Sequence, residues 1–416
     1  MITYSSIESL SAYISSGGTP SRKKSEYYSK DSSGHLWVKS KELLDSAIKE
    51  TEELITEEGL KHSSAKYFPV DTILIAMYGA NVGQLGWLKV PSTVNQAICG
   101  IIVDKQKASP RYVYYALLLT RAALAAKAQG AAQQNLNQGL IKEFQIPIQS
   151  LDIQQIIGSI LTNYDDLIEN NARRIQILEE ITQRIYREWF VHYRFPGHED
   201  VRMVDSGTEF GEIPEGWEIT PLSKLVDTQY GYTESAQEKP VGPKYLRGMD
   251  INKSSYIDWN LVPYCPIPSD LVDRYRLKKG DIVVIRMADP GKVGIVEKEI
   301  NGIFASYLVR LSIKSDKILP YYLFYFLLDS KYQGYISGAS TGTTRKSASA
   351  GVLTGIDIVC PPKDIVYLFD THIQEIRSLL NNLIDQNKNL LITRDILIPK
   401  LISGELDVSD LDIDMN

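Results

Sequence analysis

The sequence predicts an α+β protein built as a tandem pseudo-twofold duplication, in which two related mixed α/β domains each close on a long helix. Three observations carry this. The second half echoes the first at an offset that drifts only between 208 and 212 residues, short β-branched runs punctuated by glycine recur in both halves, and each half ends in apolar residues at helical spacing.

The matches keep one order along the chain. Residues 37–43 align with 245–251, 71–75 with 281–285, Val82-Gly83 with Val293-Gly294, 110–115 with 320–325, and Asp152-Ile153 with Asp364-Ile365. One such match could be chance, but five in sequence mark a duplication. Each copy opens with a strand-rich part, in which Thr72 to Ala76 and Asp281 to Ile285 read as buried strands. A short aromatic helix follows, Pro110 to Leu119 or Pro320 to Leu328, then a loop rich in glycine, hydroxyl and amide residues, then a strand ending near Pro147 or Pro361-Pro362.

The closing helices are the clearest elements. Ile157, Ile160, Tyr164, Leu167, Leu178, Ile181, Ile185 and Trp189 alternate by threes and fours like a coiled-coil seam, interrupted at Asn171 and Arg174. Ile376, Leu379, Leu380, Leu383, Leu390 and Leu397 form the second stripe. Two such stripes bury most simply against each other, and a pseudo-twofold relation makes that pairing an antiparallel coiled coil. Packing of each helix on its own sheet is the alternative. Asn171 fits a register-setting seam position or a solvent-facing one. The expected divisions are a first domain over 1–150, its helix over 151–195, a linker over 196–216, a second domain over 217–363, its helix over 364–402, and an acidic tail over 403–416.

Composition narrows the function classes. With 44% hydrophobic and 23% charged residues, the 416-residue chain is ordinary globular protein and not a disordered one. The net charge is −6, but Glu405, Asp407, Asp410, Asp412 and Asp414 supply most of it, so the remainder is nearly neutral. Charge alone therefore argues neither for nor against a nucleic-acid partner. Cys99, Cys265 and Cys360 are too far apart for a zinc or redox motif, which suits a reducing cytoplasm. No secretory leader opens the chain, and its most apolar run, Ile318 to Leu328, contains Pro320 and is too short to span a bilayer, so no membrane association is expected.

Catalytic signatures are missing. There is no Asn/Asp-Pro-Pro-aromatic tetrapeptide, Cys360-Pro361-Pro362 being the nearest text, and no phosphate-cradling glycine loop with Lys-Ser/Thr. Asp329-Ser330-Lys331 is a formal half of a nuclease motif at the end of the aromatic helix, where a structural role is expected. The five histidines, among them His192, His198 and His372, form no readable triad or metal set.

Several segments together resemble the DNA-specificity (S) subunit of type I restriction-modification systems. They are Glu188-Trp189-Phe190-Val191-His192-Tyr193-Arg194-Phe195-Pro196-Gly197, Gly211-Glu212-Ile213-Pro214-Glu215-Gly216-Trp217, the opening Gly17-Gly18-Thr19-Pro20-Ser21, and the closing Arg394 to Leu397, Pro399-Lys400-Leu401 and Ser403-Gly404-Glu405-Leu406. The duplicated stretches Asp71 to Gly83 and Asp281 to Gly294 add to the resemblance, which spans essentially the whole chain. It implies two target recognition domains, each reading one half of a split site in double-stranded DNA. It further implies that the helix pair spaces the readers and docks two methyltransferase (M) subunits, which restriction-translocase (R) subunits join. The chain would itself be noncatalytic and hold no cofactor, with S-adenosylmethionine, ATP and Mg on the partner subunits of an adenine-N6 methylating, ATP-dependent endonuclease complex. A single-chain restriction nuclease with a fused specificity module is the enzyme-class alternative, which the missing motifs disfavour, and a coiled-coil scaffold that never touches DNA is the other.

Candidate DNA-contacting residues follow from side-chain chemistry. Arg22, Lys23 and Lys24 form a compact basic run, though such runs are commonly solvated faces. Lys39 and Arg247 occupy matched positions and read as phosphate anchors or structural ion pairs. Tyr78 and Asn81 in one copy, and Arg286 and Lys292 in the other, flank equivalent glycine turns. Gln133, Gln134 and Asn135 carry carboxamides that pair with adenine edges or satisfy loop backbone, while Thr343, Thr344, Arg345 and Lys346 suit phosphates or a solvated loop.

Overall fold

The β-branched runs become the centre of each sheet because their side chains, unable to alternate polar with apolar, must be buried on both faces. The structure is a computed structural model that describes residues 3–29, 31, 33–128, 135–340 and 346–411. The chain forms two compact units, residues 1–170 with 387–416 and residues 171–386.

In the first unit Ile73–Ala76 is wholly buried in a five-stranded sheet of order Ser11–Ser16, Ile98–Val103, Ile73–Ala76, Leu85–Leu88, Ser46–Ile48, with only the last pair parallel. A second sheet orders Leu54–Ile55, His35–Val38, Ser92–Val94 and Tyr67–Phe68, and Thr3–Ser6 pairs with Gln145–Ile148. The second unit keeps the plan. Its antiparallel sheet runs Val226–Tyr230, Leu308–Ile313, Ile282–Ile285, Val293–Ile295, while Lys244–Leu246 lies parallel to Gly302–Phe304 as His35–Val38 does to Ser92–Val94.

Hydrogen bonds correct the repeat register. Gly83 N–H donates to Ala76 O and Gly291 N–H to Ile285 O, each at 2.9 Å, and both glycines hold the left-handed backbone (φ +81° and +96°) that side chains disfavour. Gly83 thus corresponds to Gly291. Gly294 corresponds instead to Gly86, which pairs with Leu74 as Gly294 does with Val283. Local identity had aligned two glycines that the ladder places three residues apart.

The aromatic helices start at proline, where no N–H needs a partner. Pro110–Ala125 runs farther than the sequence pattern suggests, whereas the second copy breaks into Pro320–Leu328 and Ser330–Ala339. Asp329 makes the break, its carboxylate accepting Lys331 N–H at 3.0 Å as an N-cap, so the nuclease-like tripeptide is a helix start. In each unit a tyrosine of this helix donates to the strand leading to the long helix, Tyr112 to Pro147 O and Tyr322 to Val359 O.

The long helices are Leu151–Tyr186, continued by a π turn over Arg187–Val191, and Lys363–Ile402. They do both things the sequence left open. In the first unit Ile157 and Leu161 pack into the sheet's core together with Ile398, Leu401 and Ile402. In the second, Val366, Phe369 and Ile373 do so together with Tyr186 and Phe190. The pairing is antiparallel in each: Arg394 with Asp165 and Asn387 with Ile168 O in one, Ile175 with Leu380 and Leu383, and Tyr186 with Phe369, in the other. Asn171 is 6% exposed, so it does not face solvent.

Residues 196–216 form a hairpin, Met203–Asp205 with Glu212–Pro214, that carries Ile213 into the second unit's core. Phe190 is the hub there, with ring centroids 4.7 Å from Tyr322, 4.8 Å from Phe369 and 6.0 Å from Trp217. Phe190→Ala should lower unfolding free energy by about 3–5 kcal/mol, against less than about 0.5 kcal/mol for the half-exposed Leu167→Ala. Urea titration with matched midpoints for the two variants would contradict this packing.

Candidate nucleic-acid interface

Each central strand delivers the chain into a turn to which the described end of the following loop, Leu136 or Ala348, is hydrogen-bonded. Met77, after Ile73–Ala76, donates to Ala97 O at 2.8 Å and accepts from Leu136 N–H at 2.7 Å. Arg286, after Ile282–Ile285, donates to Tyr307 O and accepts from Ala348 N–H, both at 2.9 Å. These bonds make Met77 and Arg286 one backbone position, occupied twice. By the same ladders Ala97 corresponds to Tyr307, and Ser16, paired with Cys99, corresponds to Tyr230, paired with Val309.

The loops flanking these positions were far away in sequence. Asn135 bridges Tyr78, and Lys346 pairs with Ala288, so in each unit one described candidate of the loop lies beside the candidate turn. Gln133, Gln134, Thr343, Thr344 and Arg345 lie outside the described residues. In the first unit Asn81 donates to Ser40 O at 3.1 Å, tying the turn to Ser40–Glu42, and the part-buried Tyr78 hydroxyl donates to Gln96 O. Asn81 is therefore a brace for the surface.

The basic candidates separate into two groups. Arg22 pairs with Glu53 at 2.6 Å over the Tyr28 and Trp37 rings, and Lys24 donates to Tyr27 Oη at 2.9 Å, while Lys23 is exposed. Lys39, with a side chain only 13% exposed, sits between Glu52 and Glu53 at 2.9 and 2.7 Å. The Arg22 guanidinium, aided by Lys39 and opposed by burial, holds the Glu53 carboxyl down to about 2. Arg247 clamps Asp250 through Nε and Nη2 at 3.1 and 2.9 Å. In both units the acid of that turn also accepts the base's own backbone N–H, Glu42 from Lys39 and Asp250 from Arg247. Of the two readings of this matched pair, the structure shows the ion pair, in a turn shared by both units.

Arg286, Lys292 and Lys346 differ. Among the described residues none of the three makes an ion pair with a carboxylate, and Lys292 and Lys346 are exposed. They surround a turn beside a cavity of about 420 Å³ lined by Met249, Asn252, Met287, Asp289 and Tyr307. Sequence reasoning missed the exposed aromatics Tyr230 and Tyr307 here, since nothing in a strand pattern distinguishes a ring at a binding surface from one in a core. It also missed Arg377, fully buried and bonded to Glu297 at 2.6 and 2.8 Å and to Ser255, which holds the Asn252 segment to the second long helix.

Nothing in this surface suggests bond-making chemistry. No cluster of three or more His, Cys, Asp or Glu able to hold a metal exists among the described residues. The cysteines are buried, and burial pushes the Cys99 thiol up to about 12 and Cys265 up to about 11. No described helix is long and apolar enough to cross a membrane.

Comparison with known proteins matches residues 7–180 and 214–393 to the family described as "Type I restriction modification DNA specificity domain". The chain is 28% identical over 422 aligned residues to the type I restriction enzyme MjaIX specificity subunit of Methanocaldococcus jannaschii, covering 96% of this chain and 92% of that one. It is 24% identical over 337 residues to the EcoBI specificity subunit of Escherichia coli, covering 77% and 70%. The crystal structure of a type I restriction-modification S subunit from M. genitalium superposes with a TM-score of 0.61 at 16% identity, covering 96% of each chain, a likeness of fold.

If the three unpaired bases meet DNA, Lys292→Ala and Lys346→Ala should each flatten the slope of log binding constant against log salt by about 0.9, the signature of one phosphate contact. Lys39→Ala should leave that slope unchanged and lower the melting temperature. Fluorescence anisotropy on duplex DNA across a salt series separates the cases, and an unaltered slope in the first two variants would remove them from the interface.

Proposed function

The chain belongs to the type I restriction-modification DNA specificity family, and on that premise we propose that its two units each read one half of a bipartite double-stranded DNA site. The chain is the sequence-specificity component of a restriction-modification complex, not its catalyst. In this reading the paired helices hold the two readers at a set spacing and dock two methyltransferase subunits, which restriction-translocase subunits join. S-adenosylmethionine, ATP and Mg²⁺ act on those partners, in the cytoplasm.

One observation carries the proposal. The duplication keeps the backbone hydrogen bonds around the turn and replaces the side chains on it: Met77 becomes Arg286, Ala97 becomes Tyr307, Ser16 becomes Tyr230. Two readers of different sequences need that combination, a common frame with divergent contacts. Division of labour also fits the energetics. Specific binding must exceed nonspecific binding by roughly 4–10 kcal/mol while each base pair contributes about 1–3, so several pairs must be read.

Base-resolution adenine methylation in cells with and without this gene tests the reading. The expected outcome is a split motif that vanishes on deletion, and an identical methylome in both strains would overturn it. Insertion of one heptad near Asn171, matched by one in the facing helix, should lengthen the gap between the half-sites without altering either half. An unchanged gap would end the spacing role.

A further inference from the structure

We propose that Arg286 is the base-reading side chain of the second unit and that the base it reads is guanine. The inference rests on the DNA-reading role proposed above and names the contact within it.

The fold does not ask for an arginine at this position. Met77, at the equivalent backbone position of the first unit, is 5% exposed and part of an apolar core. A methionine therefore satisfies the same two backbone bonds, so Arg286 answers a demand specific to the second unit.

The guanidinium is held but unused. Its centre lies 4.9 Å from the Tyr230 ring, and Tyr230 is itself pinned where its Oη accepts Ala350 N–H at 3.0 Å. Stacking on a fixed ring orients the planar fork and limits its motion. Yet Nε is buried without a hydrogen-bond partner, and Nη1 makes only long contacts, 3.5 Å to Ser306 O and 3.6 Å to Met287 Sδ. The first is at the outer limit of hydrogen bonding, and the second goes to a thioether sulfur, a weak acceptor. Elsewhere the chain gives its buried guanidinium groups short polar partners: Arg377 bonds Glu297 and Ser255, and Arg310, though its Nε is likewise unpartnered, places Nη1 and Nη2 on Arg276 O, Asp281 and Gln229.

An oriented fork with donors in reserve fits an acceptor pair, and in the major groove that pair is guanine O6 and N7. With Nε buried, Nη1 and Nη2 are the donors left for it. The neighbouring ammonium groups suit the other task, because Lys292 and Lys346 are exposed point charges that need no fixed orientation to meet phosphates. Tyr307, 51% exposed where the first unit has a buried alanine, adds a flat apolar wall to the same surface.

The test is the methylation motif of the assembled complex with Arg286→Met, the residue that the first unit tolerates here, and with Arg286→Lys. Both should fold with wild-type melting temperatures. Both should lose roughly tenfold or more discrimination at one G·C pair of one half-site, with the other half-site unchanged. Arg286→Lys keeps the charge and loses the fork, so restoration of the full motif by lysine would overturn guanine reading in favour of phosphate anchoring. An intact motif in Arg286→Met would overturn any reading role. Absence of a split motif in the wild-type complex would instead overturn the DNA-reading proposal on which this one stands.

Discussion

Neither unit could bury its core with one helix. The sheet of the first unit is covered by Ile157 and Leu161 from the start of one long helix and by Ile398, Leu401 and Ile402 from the end of the other, and the second unit uses Val366, Phe369 and Ile373 with Tyr186 and Phe190 in the same way. This shared antiparallel seam is the constraint from which the rest follows. It requires two helices for each unit, because one helix alone would leave part of the apolar face without a partner. It also explains why so many aromatics gather at the junction after Tyr186, where Phe190, Phe195 and Trp217 complete the second core.

The buried charges held by the long helices are matched. Asp165 receives Arg394 and the Tyr115 hydroxyl, and Glu297 receives Arg377 with the Tyr321 hydroxyl at 3.1 Å. Burying a charge is tolerable only when its partner and hydrogen bonds come with it. Each of these pairs joins a long helix to another element of its unit, so the polar contacts specify how the helix sits where apolar contacts alone would let it slide.

Charge on the DNA-facing candidates follows a similar economy. The most conspicuous bases in the sequence, Arg22, Lys39 and Arg247, are consumed by Glu53, Glu52 and Asp250. Among the described basic candidates, those without an ion pair are Lys23, Lys24, which donates to Tyr27 Oη, and the set around one turn of the second unit, Arg286, Lys292 and Lys346. A chain with a net charge of −6 gains little from general attraction to phosphate, which puts the weight on a few well-held donors.

The sequence by itself determined the duplication, the strand-rich order of each copy and the long helices, because each is a periodic signal written in consecutive residues. Pro110 and Pro320 start their helices where the repeat places them, and of the seam residues read from the spacing Ile157, Leu380 and Leu383 are buried, whereas Leu167, Ile181 and Leu379 are exposed. Only the tertiary structure decided which candidate residues share a surface and which are free. Lys39 meets Glu53, and Asn135 meets Tyr78, through folds of the chain that leave no periodic trace. The correspondence of Arg286 with Met77 was hidden for the same reason: the turn that follows is one residue longer in one copy, and only the ladder bonds on either side restore the register.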